Sequence, residues 1–458
     1  MYKLVVQKFG GTSVQDATAM SRAIEIVRAH GITRRTRPLV VLSAASGVTD
    51  TLIRISEFAL KPDTHDALLL VDQLEARHAR IARELIADSE TVVTVQNQLH
   101  SVWEEVRTLV RGVHLLKELT PRSRDQFQSV GERCSTRIFQ AALAERAGTS
   151  KTPVHYYDAR EFFATTSDFT AARPLTGEIK KRMRKIHNAL AKGAVGVSQG
   201  FIGSTAENQV TTIGRGGSDF SAAIQGVAID AAEIQIWTDV AGIMTCDPRI
   251  APAATTIDKI SFSDASELAF FGAKVLHPET IWPAVEAGIP VRVLSSKEPE
   301  NPGTIIVEDC ESERPITGIA IRRTPVLVKI TSRSAVIDTS IQAAAWEALD
   351  REGVAPLAVS LARDSALLVL DNMHAVPRLR AMLEHVADIE IVRDRALITL
   401  VGSGLKTRSG IAARIFRGLG RANCEMASFG GSQTSVSVVV QDDVAARVAK
   451  RLHGEFFE

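Results

Sequence analysis

Short apolar runs rich in Val and Ile punctuate the first two thirds of the chain. LVVQ, PLVVLS, GAVGVSQGF and AEIQIWTD are each long enough for a strand, and helical stretches separate them as far as about residue 306. Runs that are apolar on both faces and alternate with helices belong to sheets covered on both sides. The pattern therefore predicts an α/β domain with an open, mostly parallel sheet sandwiched by helices. Between about Asp63 and Arg146 the period changes to apolar positions three and four residues apart, in ALLLVDQLEARHARIARELI and SVWEEVRTLVRGVHLL. That spacing predicts a helical layer beside the sheet.

The segment SSKEPENPGTIIVEDCESERP, residues 295 to 315, gathers Ser, Pro, Gly and charge, as a domain boundary does. From Val326 the order is strand (VLVKI), helix (IQAAAWEALDR), strand (VAPLAVS), strand (SALLVLD), helix (VPRLRAMLEHV), strand (IEIV). From Ala396 it starts again, with ALITLV, IAARIFRGLGRA, EMASF, SVSVVV and VAARVAKRL. Two such units with almost no identity indicate a duplicated small α+β (βαββαβ) module. The expected divisions are residues 1–306, a joining linker and strand at 307–325, and modules at 326–394 and 395–458.

A length of 458 residues exceeds what one core serves and agrees with several domains. With 45% hydrophobic and 23% charged residues and a formal net charge of +1, the composition argues against disorder, nucleic-acid binding and membrane association. Cys134, Cys246, Cys310 and Cys424 are far apart and lack zinc-ligand spacing, so they read as reduced thiols of a cytoplasmic protein. MYKLVVQKFGG enters a strand pattern at once, so no signal peptide is expected.

Several turns carry candidate chemistry. Lys8-Phe9-Gly10-Gly11-Thr12-Ser13 joins a strand to a helix. Its two glycines let backbone N–H groups approach a phosphate beside the Lys8 ammonium, although a plain strand-to-helix turn has the same form. Gly214-Arg215-Gly216-Gly217-Ser218-Asp219 is a second such turn, with Arg215 as a fork for a carboxylate and Asp219 as a partner for a cation or a lysine. Two phosphate-type turns in one domain are harder to explain structurally than one. Trp237-Thr238-Asp239-Val240-Ala241-Gly242, followed by Asp247-Pro248-Arg249, ends a strand where ligands of open α/β sheets sit. Ser129-Val130-Gly131-Glu132-Arg133 offers Glu132 to an ammonium group, while a solvated helix carboxylate is the plainer alternative.

Taken in order, KFGGTSV, VVLSAASGVT, SVGE, GFIGS, TTIGRGGSD, WTDVAGI with DPR, and FGAKVLHP resemble the signature set of the aspartokinases within the amino acid kinase family, over residues 1 to 306. The duplicated C-terminal module resembles their paired ACT domains. The resemblance implies phosphoryl transfer from ATP, with Mg²⁺, to the side-chain carboxylate of L-aspartate. It implies Lys8, Asp219 and Arg215 as catalytic residues, and Ser43, Thr49, Glu132, Phe201, Arg215, Gly216, Gly217 and Ser218 around aspartate. Lys8, Phe9, Gly10, Gly11, Thr238, Asp239, Met244, Arg249, Lys274 and Val275 are implied around the nucleotide, and no residue is assigned as a metal ligand. It further implies a homodimer or homotetramer, and lysine or threonine as a possible effector at the ACT domains. Met244 stands where many relatives carry a tyrosine, and the loop of residues 331 to 339 has no glycine, so the lysine-binding motif of lysine-sensitive relatives is not readable there. Gly402-Ser403-Gly404 suggests a dinucleotide site but lacks the third glycine and a full βαβ unit.

Overall fold

The computed structural model describes residues 2–33, 35–147, 152–214, 216–273, 278–310, 314–334, 339–405 and 408–458. The chain forms two compact units. One comprises Met1–Gly242 and His277–Glu308, the other Ile243–Leu276 and Asp309–Glu458.

In the first unit the sheet strands are β1 (Lys3–Phe9), β2 (Thr36–Leu42), β3 (Val154–Tyr157), β4 (Val195–Gln199) and β7 (Glu233–Thr238); β5 (Ile202–Ser204) and β6 (Val210–Thr212) form a separate hairpin. They lie in the order β3-β4-β2-β1-β7, continued by Val291–Ser295 and then Thr304–Val307. All pairings are parallel except the last. Six of the seven residues of β1 are buried, as are six of the seven of β2, which accounts for their unbroken apolar runs.

Helices α1 (Ala17–Ile26), α2 (Val48–Phe58), α3 (His65–Leu85), α4 (Ser89–Leu116), α5 (Pro121–Gln128), α6 (Val130–Ala147), α7 (Ala159–Phe162), α8 (Thr176–Ala191) and α9 (Gly217–Ala228) complete the layers. The helical span expected from the period is α3 to α6. On α3 the buried positions Ala67, Val71, Leu74, His78, Ile81, Ala82 and Leu85 recur every three or four residues. They belong to one core with Val95, Leu99, Val102, Trp103 and Val106 of α4. Asp16 and Asp88 cap α1 and α4 by accepting from the N–H groups of Ala19 and Thr91.

Because β1 pairs with β2 on one side and β7 on the other, the connections leaving the sheet diverge at β1. That switch point is where open parallel sheets bind ligands, beyond the carboxyl ends of the strands. The register Phe9↔Leu42, Phe9↔Trp237 and Leu42↔Gln199 brings the ends of β1, β2, β7 and β4 level along one sheet edge.

The second unit holds two four-stranded antiparallel sheets with separate cores. One is contiguous: Val326–Ser332 lies between Ser365–Leu370 and Ala387–Val392, with Ala358–Leu361 at the edge. The other is not. Arg395–Val401 pairs with Ser435–Gln441 and also with Gly318–Arg323, a strand that precedes the whole first module. The second repeat lacks a final strand of its own, and Gly318–Arg323 fills the vacant side. Residues 243–273 also fold with this unit, where Cys246 and Ala251 join the core of the second module and Thr245 Oγ1 lies 3.0 Å from His453 Nε2.

Candidate active site

The two glycine-rich turns meet through one ion pair. Lys8 is the last residue but one of β1, with its side chain 10% exposed, and its Nζ lies 2.6 Å from Asp219 Oδ1 in the first turn of α9. A β-carbon on Gly10 would lie 3.6 Å from Lys8 Nζ, so the missing side chain leaves the ammonium uncovered on that side. Gly11 is required for a different reason, because a β-carbon there would come within 2.9 Å of Ala44 O. The turn is closed by Ser13 N–H donating to Gly10 O at 3.0 Å and Ser46 N–H to Gly11 O at 3.1 Å.

The second turn uses its glycines for backbone shape. Gly214 and Gly216 have φ of +76° and +73°, the left-handed region that other L-residues avoid. Gly217 instead answers to packing: a β-carbon there would be 2.8 Å from both Ile213 Cγ1 and Phe201 Cδ2. Phe201 itself has φ +67° and is held by its N–H donating to Ser221 Oγ at 2.9 Å and its carbonyl accepting from Ile213 N–H at 3.1 Å. A bulky residue locked in that region by two hydrogen bonds is a constrained position of the kind found at ligand sites. Gly200 lies against Ser218, where a β-carbon would be 2.8 Å from Cα. Phe201, Gly216, Gly217 and Ser218 therefore form one wall.

Glu132, in the first turn of α6, is 3% exposed. Burial pushes its carboxyl up to about 8, against the opposing pull of the Ala44 N–H, and its Oε2 has no hydrogen-bond partner. Leaving a buried carboxyl oxygen unsatisfied is costly, and a cation brought by a ligand can relieve that cost. Ser43 lies beside it: the Ser43 carbonyl accepts from Ser135 Oγ on α6 at 2.8 Å, and the Ser43 N–H donates to Phe9 O at 3.2 Å. Gly131 permits this approach, since a β-carbon would be 2.6 Å from Ala44 Cβ and 3.0 Å from Val48 Cγ1. Thr49 follows Val48 in the first turn of α2.

At the end of β7, the Thr238 carbonyl accepts from Ser296 N–H at 2.7 Å and from Ser296 Oγ at 2.9 Å, and Ser13 Oγ lies 2.9 Å from that hydroxyl. Thr238 and Asp239 thus share the sheet edge with Gly10, whose N–H donates to Trp237 O at 3.3 Å. Met244 and Arg249 belong to the second unit. Thr256 Oγ1 donates to Met244 Sδ at 3.5 Å, and exposed Arg249 forks onto Asp247, with Nη2–Oδ2 at 2.6 Å. Arg215, Lys274 and Val275 lie outside the described residues, as do residues 335–338 of the loop without glycine. Among the described residues, no group of three or more His, Cys, Asp or Glu side chains is arranged to hold a metal ion.

Asp125 is a residue that sequence reading missed. Buried on α5, it accepts from Thr170 N–H at 3.0 Å, Thr212 N–H at 3.0 Å and Thr212 Oγ1 at 2.6 Å, and burial nevertheless raises its carboxyl above the ordinary range. It fixes β6, which runs directly into Gly214. Asp125→Ala leaves a buried N–H and a hydroxyl unsatisfied, an expected loss of about 2–4 kcal/mol of stability. Chemical denaturation of the two proteins measures it, and equal midpoints would deny Asp125 this anchoring role.

The comparisons with known proteins agree with this fold. Residues 3–295 match the amino acid kinase family, and residues 398–456 match the ACT domain. The chloroplastic aspartokinase 3 of Arabidopsis thaliana is 35% identical over 473 aligned positions, covering 99% of this chain and 81% of its own. The lysine-sensitive aspartokinase 3 of Escherichia coli K12 is 32% identical with both chains covered completely. The crystal structure of E. coli aspartokinase III in complex with lysine and aspartate has a TM-score of 0.84 at 32% identity, covering 99% of this chain and 100% of that one. The complex of the same enzyme with aspartate and ADP has a TM-score of 0.80 with full coverage of both. By these matches along its whole length, this chain belongs to the amino acid kinase family as one of its aspartokinases.

Proposed function

We propose that this kinase transfers the γ-phosphoryl group of ATP to the β-carboxylate of L-aspartate, giving 4-phospho-L-aspartate, the entry to aspartate-derived amino acids such as lysine and threonine. The observation that carries the reading is the Lys8–Asp219 pair, which holds a nearly buried ammonium beside the open space over Gly10. A carboxylate nucleophile with an ordinary pKa near ~4 is already ionised at neutral pH, so no general base is needed. The remaining task is to overcome repulsion between two anions and align them.

The chain's residues divide that task. Lys8, with the Gly10-Gly11 turn beside it, meets the transferring phosphoryl group. Glu132 receives the α-ammonium of aspartate, Arg215 its α-carboxylate, and Ser43, Thr49, Phe201, Gly216, Gly217 and Ser218 shape the pocket. Thr238 and Asp239, at the sheet edge beside Gly10, hold the nucleotide. Mg²⁺ commonly binds through one or two carboxylates and substrate phosphates while retaining several waters, so a single carboxylate suffices. Asp219, with one oxygen on Lys8, fits that need and would hold the ion, which would supply charge neutralisation of the phosphates.

An amino-acid effector at the ACT modules is supported by the lysine complex of E. coli aspartokinase III. Pairing of chains through the same modules, as a homodimer or homotetramer, belongs to the same proposal. Among the described residues no helix is long and apolar enough to cross a membrane; the cytoplasm is the proposed location.

The test is incubation with MgATP, hydroxylamine and either aspartate or glutamate. Aspartyl hydroxamate is the expected product, with its rate followed on adding lysine or threonine. Equal product from glutamate, or none from aspartate despite ATP binding, would reject the assignment.

A further inference from the structure

The second C-terminal module carries a cavity that phosphoryl transfer does not use. It has a volume of about 540 Å³ and is lined by residues from the end of the helix Ile411–Leu419, the turn after it and the helix Asp442–Phe457. Its polar lining is Arg421, Asn423, Gln441, Arg447 and Arg451, three guanidinium groups and two amides with no carboxylate.

Neighbouring arginines of this unit do have acidic partners. Arg414 and Arg417 share Glu455, Arg395 holds Glu425, and Arg323 reaches Asp442. Arg421, Arg447 and Arg451 form no ion pair among the described residues, and Asp443, one turn before Arg447, is not within ion-pair distance of it. Arg447 and Arg451 are themselves one turn apart, a like-charge spacing that destabilises a helix unless something neutralises it.

Gly420 supplies a second, independent observation. It has φ +64°, and a β-carbon on it would collide with the guanidinium of Arg451. The bare Cα lets that group lie in the cavity wall at the end of the helix. Arg451 is exposed and, among the described residues, has no ion-pair partner, so its N–H groups are open to an occupant.

We propose that this cavity binds a compact polyanion, a molecule carrying two or more phosphate or carboxylate groups, held by Arg421, Arg447 and Arg451 and oriented by Asn423 and Gln441. Planar guanidinium forks suit both groups, and the volume is within the range of small-molecule sites. The cavity shares no residue with the kinase site, and its existence does not depend on which carboxylate is phosphorylated.

Calorimetric titration of the full-length protein at low ionic strength, with ADP at saturation to occupy the kinase centre, tests this with inorganic pyrophosphate and, separately, citrate. One equivalent is expected to bind, and the preferred probe distinguishes phosphate from carboxylate recognition. Arg447→Gln/Arg451→Gln should weaken binding by about tenfold or more, and Arg421→Gln, on the other wall, should weaken it too. Lys450→Gln, an exposed neighbour outside the cavity, should retain wild-type affinity. All of these variants should keep the wild-type melting temperature and kinase rate. Failure of both anions to bind, unchanged binding in the double variant, or an equal loss in Lys450→Gln would overturn the proposal.

Discussion

Replacing Lys8 by alanine lowers the rate of phosphoryl transfer by about 10²–10³-fold while leaving the aspartate requirement within a few-fold. The ammonium lies near the end of the central strand, is nearly buried, and is held by Asp219 at 2.6 Å beside Gly10, which puts no side chain against it. In such a site a fixed cation is worth far more than in water, because little solvent competes with it. Asp219→Asn should reproduce part of the loss, since Lys8 keeps its charge but loses its tether. Arginine at position 8 should not restore the rate, because its planar fork must fit the space left for a compact ammonium. Steady-state kinetics of the three variants decides the matter. A Lys8→Ala turnover within tenfold of wild type removes Lys8 from the transfer step.

The second large effect concerns Glu132. Its carboxyl is pushed up to about 8 by burial, so the free protein holds it mostly protonated at neutral pH. An aspartate ammonium binds the ionised form, so binding drives off that proton, and affinity for aspartate should rise by up to about tenfold per pH unit below 8 before levelling off. Glu132→Gln should raise the aspartate KM by about 10²-fold and flatten this pH dependence.

Stability must move the other way. The folded-state value lies above the ordinary value of 4.5, so the folded protein retains a proton that the unfolded chain releases. This group therefore favours folding least at high pH, and its contribution falls as pH rises from about 4.5 through about 8. Without aspartate, the Glu132→Gln variant should gain melting temperature relative to wild type between pH 5 and pH 8. A gain that shrinks over that interval would contradict the raised value.

Local chemistry explains what the sequence made legible. The continuous apolar runs of β1 and β2 announced a buried parallel sheet. Glycines 10, 11, 214, 216 and 217 announced two turns where backbone must come close or turn left-handed, and the structure provides a separate reason for nearly every one of them. Asp125 carried no such signal. It sits in the polar helix PRSRDQFQ, and its partners lie 45 and 87 residues further on, so only folding shows that this carboxylate is interior. Ser296 is invisible for the same reason, as its link to Ser13 spans 283 residues. Phe201 looked like one member of a motif, and its positive φ is imposed by Ser221 and Ile213 across the fold. The strand Gly318–Arg323 reads as part of a connector because its partner comes after an entire intervening module.

That last pairing makes the first module an insertion rather than a link in a series. Arg323 lies opposite Ala396, and Thr324 N–H donates to Arg395 O at 2.9 Å, so the chain leaves and re-enters the second module at nearly the same point. During synthesis Gly318–Arg323 emerges with its edge unsatisfied and must wait for Arg395–Val401, while residues 326–392 can close their own sheet in the interval. Adjacent entry and exit points are also what exchange of a domain between proteins requires. The inserted module can therefore diverge without disturbing the register of the sheet that hosts it.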